Sequence, residues 1–178
     1  MTSNSHRIPD GWKRVLVLHA YPPESRLHTF ERGLRALGHD VVSAGPASTR
    51  GSVEAWRDVD PDTTYVATEP DASLDDIFEA TGGVPDWVFY LRPSTAFLPS
   101  GLRSCPVPTV AWFEDEFRYI DVFLRLGYYF DLVGTAYEDA RRVFTERGMD
   151  NCRCFNYVTA SWLFPERAVD FHNRPTDV

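Results

Sequence analysis

Cysteine is scarce in this chain: Cys105, Cys152 and Cys154 are the only three among 178 residues. Three thiols exclude a fully paired disulfide framework, and no further Cys or His stands nearby at metal-ligand spacing. Reduced, buried thiols are the expectation, with Cys152 and Cys154 two apart on one face of a strand. Long hydrophobic runs are missing too. No stretch approaches the roughly 18 apolar residues of a membrane span, and the polar start Met1 to Asp10 lacks the apolar core of a signal peptide. These absences lead to the expectation of a cytoplasmic protein without a membrane span. Basic charge is short as well: the net charge is −8, and Lys and Arg do not cluster as a phosphate-binding surface requires, so nucleic acid is not the expected partner.

Several catalytic signatures are also absent. No Gly-x-Gly-x-x-Gly follows the first apolar run, no Gly-rich loop ends in Lys-Ser/Thr, and no Gly-x-Ser-x-Gly elbow occurs. A dinucleotide oxidoreductase, a P-loop enzyme and an ordinary α/β-hydrolase are disfavoured on that ground. A receiver domain would need acidic residues directly after its first strand, where this chain has His19-Ala20-Tyr21. Acidic residues gather instead between Glu54 and Glu79, including Asp58, Asp60, Asp62, Asp71, Asp75 and Asp76. They lack the spacing and glycine of a calcium loop and read as a solvated loop and helix face.

What the chain does have is a beat. Val88, Val110, Leu132 and Cys154 centre four short apolar runs, each 22 residues after the last. A strand of about five residues, a crossover of about a dozen and two short loops give that period, as in β-α units on a parallel sheet. The 43% apolar content can fill one core, and the length is that of one domain. The fold class expected is therefore α/β: a Rossmann-like, open, mostly parallel sheet with helices on both faces.

The elements follow in order. Met1 to Gly11 reads as a flexible tail. Lys13 to His19 is a buried strand, Tyr21-Pro22-Pro23-Glu24-Ser25 a loop, and Leu27, Phe30, Leu34 and Leu37 the inward stripe of a helix stopped at Gly38. Asp40 to Ala44 is the second strand. The stretch Gly45 to Gly83 is the least regular, with a strand at Thr63 to Ala67 and a helix capped by Ser73 that carries Leu74, Ile77 and Phe78. Asp86 to Leu91, Pro108 to Phe113, Asp131 to Thr135 and Cys152 to Val158 are the further strands. The crossover Pro93 to Ser104 has no clear helical pattern. The next helix should bury Phe117, Ile120 and Leu124, and the last should bury Tyr137, Ala140, Val143 and Phe144 before Gly148.

Parallel open sheets put ligands at the carboxyl ends of their strands. That rule nominates His19 and Tyr21 after the first strand, Arg92 after the Trp87 strand, Glu114, Asp115 and Glu116 after the Pro108 strand, and Thr135, Tyr137 and Glu138 after the Asp131 strand. Each has a structural alternative: His19 as a hydrogen-bonded strand end, and the two acidic groups as helix starts favoured by the dipole.

The segments Val107-Pro108-Thr109-Val110-Ala111-Trp112-Phe113-Glu114-Asp115-Glu116, Phe130-Asp131-Leu132-Val133-Gly134-Thr135-Ala136 and Arg147-Gly148 resemble the amino-terminal domain of CgeB-like glycosyltransferases of the two-domain GT-B architecture. The resemblance runs from about Lys13 to Pro165, and Trp162-Leu163-Phe164-Pro165 looks like the exit toward a second domain. It implies a domain over residues 12–165, with 166–178 a tail or linker, that holds the acceptor while a second domain holds a nucleotide-sugar donor. The family's donor-binding residues have no positions here, so no cofactor is expected in this chain and sugar transfer is expected only with a second domain or partner chain. The resemblance implies acceptor-side roles for the acidic run after Trp112 and for His19, with His19 and Asp115 the catalytic candidates. With the strand-end positions Tyr21, Arg92 and Tyr137, Glu114 and Glu116 are the substrate-binding candidates, for an acceptor small molecule or glycan. The alternative is a stand-alone, non-catalytic module that kept the fold and binds a partner protein.

Overall fold

The computed structural model describes residues 14–20, 28–46, 64–114 and 118–155. Tyr21, Asp115, Glu116 and Phe117, both terminal tails, the segment Trp162 to Pro165 and the acidic positions from Glu54 to Asp62 lie outside them.

Apolar runs such as Val15 to Leu18 and Trp87 to Leu91 leave no polar face, so they suit strands covered on both sides. The strands are β1 (Arg14–His19), β2 (Asp40–Pro46), β3 (Thr64–Thr68), β4 (Trp87–Leu91), β5 (Thr109–Phe113), β6 (Leu132–Thr135) and β7 (Cys152–Cys154). Every pairing is parallel, in the order β3-β2-β1-β4-β5-β6-β7. The helices are α1 (His28–Ala36), α2 (Leu74–Ala80), α3 (Ile120–Gly127) and α4 (Glu138–Glu146), with a 3-10 turn at Leu102–Ser104 in the crossover of unclear pattern. This is the doubly wound α/β sheet that the 22-residue beat predicts.

The strand order reverses direction between β1 and β4. Right-handed crossovers then force helices onto opposite faces. On the first face Val15, Val17, Val41, Trp87, Phe89, Leu91 and Trp112 pack beneath Phe30 and Leu34 of α1. On the second face Leu16, Leu18, Val88, Tyr90, Ala111, Phe113 and Val133 meet buried side chains of α2, α3 and α4. The alternation along each strand thus sorts side chains into two cores.

Local chemistry sets the helix ends. Ser73 caps α2 in a reciprocal box: Asp76 N donates to Ser73 Oγ at 3.1 Å, and Ser73 N donates to the Asp76 carboxylate at 2.9 Å. The Ser73 hydroxyl, which donates to the Asp76 carboxylate at 2.6 Å, and after it the Ser73 N–H hold the Asp76 carboxyl below its usual range. Ser73→Ala is expected to cost about 1 kcal/mol, read as a lowered midpoint in chemical denaturation; an unchanged midpoint would show that the box contributes nothing. Gly38, at φ 90°, closes α1, with His39 N donating to Leu34 O. Because the helix ends at Ala36, Leu37 turns away from the core and is 78% exposed, a departure from the inward stripe expected of it.

The α3 stripe is rotated from expectation. Phe123 and Leu126 are the buried positions, while Ile120 and Leu124 are only part-buried. Phe123 stacks on Phe113 of β5 at 4.4 Å between ring centroids, and that contact fixes the rotation. Tyr137 is likewise not inward: it is the N-cap of α4 and 40% exposed. Of the three cysteines only Cys152 is fully buried. No described helix is long and apolar enough to cross a membrane.

Side-chain clamps tie down the amino-end edge of the sheet. Arg14 N donates to the Asp86 carboxylate, and its guanidinium donates to Thr81 O and Gly82 O at the end of α2. Thr109 N and Oγ1 both donate to the Asp131 carboxylate, at 2.8 and 3.0 Å.

Candidate functional site

The carboxyl ends of β1 and β4 lie side by side, with His19 in register with Leu91, at the point where the strand order reverses. In sheets of this kind ligands lie in the crevice outside such a switch point. Two clusters of polar side chains stand at this rim.

The first lies under α1. His19 closes β1, and its imidazole Nε2 is 2.9 Å from Glu31 Oε1; the two side chains are 1% and 0% exposed. Ser43 of β2 donates its hydroxyl to the same carboxylate oxygen. Odd-numbered positions of β1 and β2 face α1, and Glu31 shares the α1 stripe with Phe30 and Leu34, so the three polar groups are driven together in the first-face core. Tyr65 of β3 joins them: burial first, and the Glu31 charge second, push its phenol well above the ordinary tyrosine range. A phenol whose folded pKa is raised contributes stability that is intact below its unfolded value, about 10, and lost as pH rises past it. Absorbance at 295 nm should therefore show a late-titrating component from Tyr65 that Tyr65→Phe removes. Titration of every tyrosine near pH 10 with native circular dichroism retained would contradict this.

The second cluster crosses β4, β5 and β6. Arg92 follows β4 with φ 53°, the one non-glycine residue at positive φ among the described residues. That backbone costs of order 1 kcal/mol or more and persists only where the surroundings impose it. Arg92 N donates to Trp112 O at 3.0 Å, and Arg92 Nε lies 3.4 Å from Glu114 Oε2. Trp112 Nε1 donates to Glu114 Oε1 over a long 3.4 Å. Arg92 and Glu114 are part-exposed, at 27% and 20% for their side chains, so a pair is presented to solvent and not sealed. Thr135 ends β6 and accepts from Tyr137 N through its hydroxyl at 3.2 Å.

Of the residues nominated by strand-end position, the fold brings Arg92 and Glu114 together and sets Thr135 and Tyr137 at neighbouring strand ends. His19 is enclosed beneath α1 with Glu31. Glu138 is held by Arg141 in the first turn of α4, which lowers its carboxyl pKa, and so fits the helix-start reading. Glu31, Ser43 and Phe155 were not nominated. The signal for Glu31 was its place on the stripe with Leu27, Phe30 and Leu34, where a carboxylate needs a buried partner. Among the described residues no group of three or more His, Cys, Asp or Glu is placed to hold a metal ion.

These features define a doubly wound parallel α/β domain with a polar, aromatic-backed rim at its switch point. Compared with known proteins, the chain matches no family model, no curated protein and no solved structure.

Proposed function

We propose that this chain is the acceptor-side half of a GT-B-type glycosyltransferase, binding an acceptor at the carboxyl rim and relying on a second domain or partner chain for the nucleotide-sugar donor. The observation that carries the reading is the Arg92–Glu114 pair, backed by Trp112 and set beside the strand reversal by a left-handed Arg92 backbone. The fold expected of such a domain, a Rossmann-like parallel sheet, supports it. In this reading Glu114 and Arg92 meet acceptor hydroxyls, with Tyr137 beside them. The base that takes the hydroxyl proton as its oxygen attacks the anomeric carbon is Asp115 or Glu114. The bond from the anomeric carbon to the donor's nucleoside diphosphate breaks as the new one forms, and the diphosphate leaves with the electron pair. His19 is enclosed with Glu31, so its role here is to hold the β1–α1 junction.

Calorimetric titration of the whole chain tests the proposal. Methyl glycosides should bind and UDP-glucose should not, and Glu114→Ala together with Asp115→Ala should abolish glycoside binding while preserving the circular dichroism spectrum. Donor binding by this chain, or unchanged glycoside binding by the double variant, would sink it.

A further inference from the structure

Register places three residues in a row at the carboxyl ends of β5, β6 and β7. Phe113 pairs with Thr135 and Thr135 with Cys154, so Glu114, Ala136 and Phe155 follow at one level. Phe155 N donates to Thr135 O at 2.8 Å, which extends the ladder to that level. Alternation turns all three toward the first face, where Ala136 packs on the Trp112 cluster.

A bare backbone beneath the row lets two aromatics close in. A Cβ on Gly134 would lie 2.8 Å from Trp112 Cε3 and 3.2 Å from Phe155 Cδ2. Glycine there allows the indole and the phenyl ring to approach across β6. Trp112 is buried, whereas Phe155 remains 46% exposed. The row therefore runs from an exposed aromatic ring, over a small Ala136 floor, to the Glu114 carboxylate with Arg92 beside it. β5 and β7 are two strand spacings apart, about 10 Å, close to the span of a disaccharide.

The geometry points to a saccharide shelf that takes a neutral, disaccharide-sized glycan. The Phe155 ring meets the C–H face of one sugar, and Glu114 and Arg92 exchange hydrogen bonds with hydroxyls of the next. An apolar ligand laid along the row would strip water from the Glu114 carboxylate without replacing its hydrogen bonds. Arg92 and Glu114 offset each other's charge at 3.4 Å, so the row favours a neutral ligand over an anion. A chain of hydroxyls satisfies both ends.

This inference deepens the acceptor-side reading and rests on it only for the role of the bound sugar, because binding is measured without donor. Saturation-transfer NMR of the whole chain with cellobiose, maltose, lactose and N,N′-diacetylchitobiose is the test. At least one should receive saturation from aromatic protons, with Phe155→Ala weakening its binding about tenfold and Glu114→Gln weakening it as well. Both side chains are part-exposed, so thermal midpoints serve as a control for folding. No transfer to any of the four sugars, or transfer unchanged in Phe155→Ala, overturns the shelf. Preferential saturation of an apolar competitor such as p-nitrophenol also overturns it. Shelf binding in a chain that also binds UDP-glucose by itself would sink the acceptor-side reading and leave the shelf standing.

Discussion

Glu31→Ala is expected to destabilise the fold by about 3–5 kcal/mol, since two buried polar groups lose their acceptor at about 1–3 kcal/mol each and a cavity opens as well. The substitution removes the shared acceptor of His19 and Ser43 and leaves a cavity between α1 and the sheet. Domains of this kind have about 5–15 kcal/mol in total, so the loss is a large fraction of that stability. For a chain of this length it corresponds to a fall of roughly 10 °C in thermal midpoint. Glu31→Gln preserves the volume and can still accept the Ser43 hydroxyl, so it should lose less than the alanine variant. A midpoint within 2 °C of the parent protein, read against that ~10 °C expectation, would mean that the His19–Glu31 contact does not hold α1 to the sheet.

Gly45→Ala should be nearly as damaging for a different reason. A Cβ at Gly45 would lie 2.4 Å from the His19 carbonyl oxygen and 2.8 Å from the Tyr65 hydroxyl. The first obstacle is backbone, fixed by the parallel ladder between β1 and β2, and it cannot rotate away. Overpacking of this kind costs about 1–3 kcal/mol and more where backbone must shift. Gly127→Ala is the matched control: its Cβ would meet Met149 Cε at 2.1 Å and Sδ at 2.8 Å, the far end of a flexible side chain. Alanine also favours the end of α3 by up to about 1 kcal/mol over glycine. Denaturant midpoints should therefore fall sharply for Gly45→Ala and little for Gly127→Ala. Adding Tyr65→Phe to Gly45→Ala should rescue little, since the carbonyl obstacle remains. Equal losses at the two glycines would refute the distinction between a rigid and a yielding neighbour.

Much of the architecture was legible in the chain because strands buried on both faces announce themselves as unbroken apolar runs. The runs centred on Val88, Val110, Leu132 and Cys154 became β4 to β7 in sequence order, and Ser73 capped its helix as read. Helix rotation was less legible. A period of 3.6 fits Ile120 and Leu124 as well as Phe123 and Leu126, and the choice between them was made by Phe113 on another element. Leu37 departs from the expected stripe because the apolar spacing continues one step past Ala36, where the helix ends ahead of the Gly38 turn.

The candidate site was legible only as positions. Strand ends can be read from sequence, so Arg92 and Glu114 could be nominated, but their 3.4 Å approach depends on β4 and β5 being neighbours. The buried Glu31 and the row from Glu114 through Ala136 to Phe155 depend on register and on which face each residue occupies. No local pattern encodes those. Gly134 looked like an ordinary strand glycine, and its use is seen only where Trp112 and Phe155 meet over it.

The most direct measurement for the central claim is an amide NMR titration of the whole chain with cellobiose, maltose, lactose and N,N′-diacetylchitobiose. A sugar bound at the carboxyl rim should shift the amides of Arg92, Glu114, Ala136, Tyr137 and Phe155 and leave those of Asp86 and Asp131, on the opposite edge, in place. Shifts confined to that opposite edge, or none at sugar concentrations on the order of 10 mM, would contradict the account.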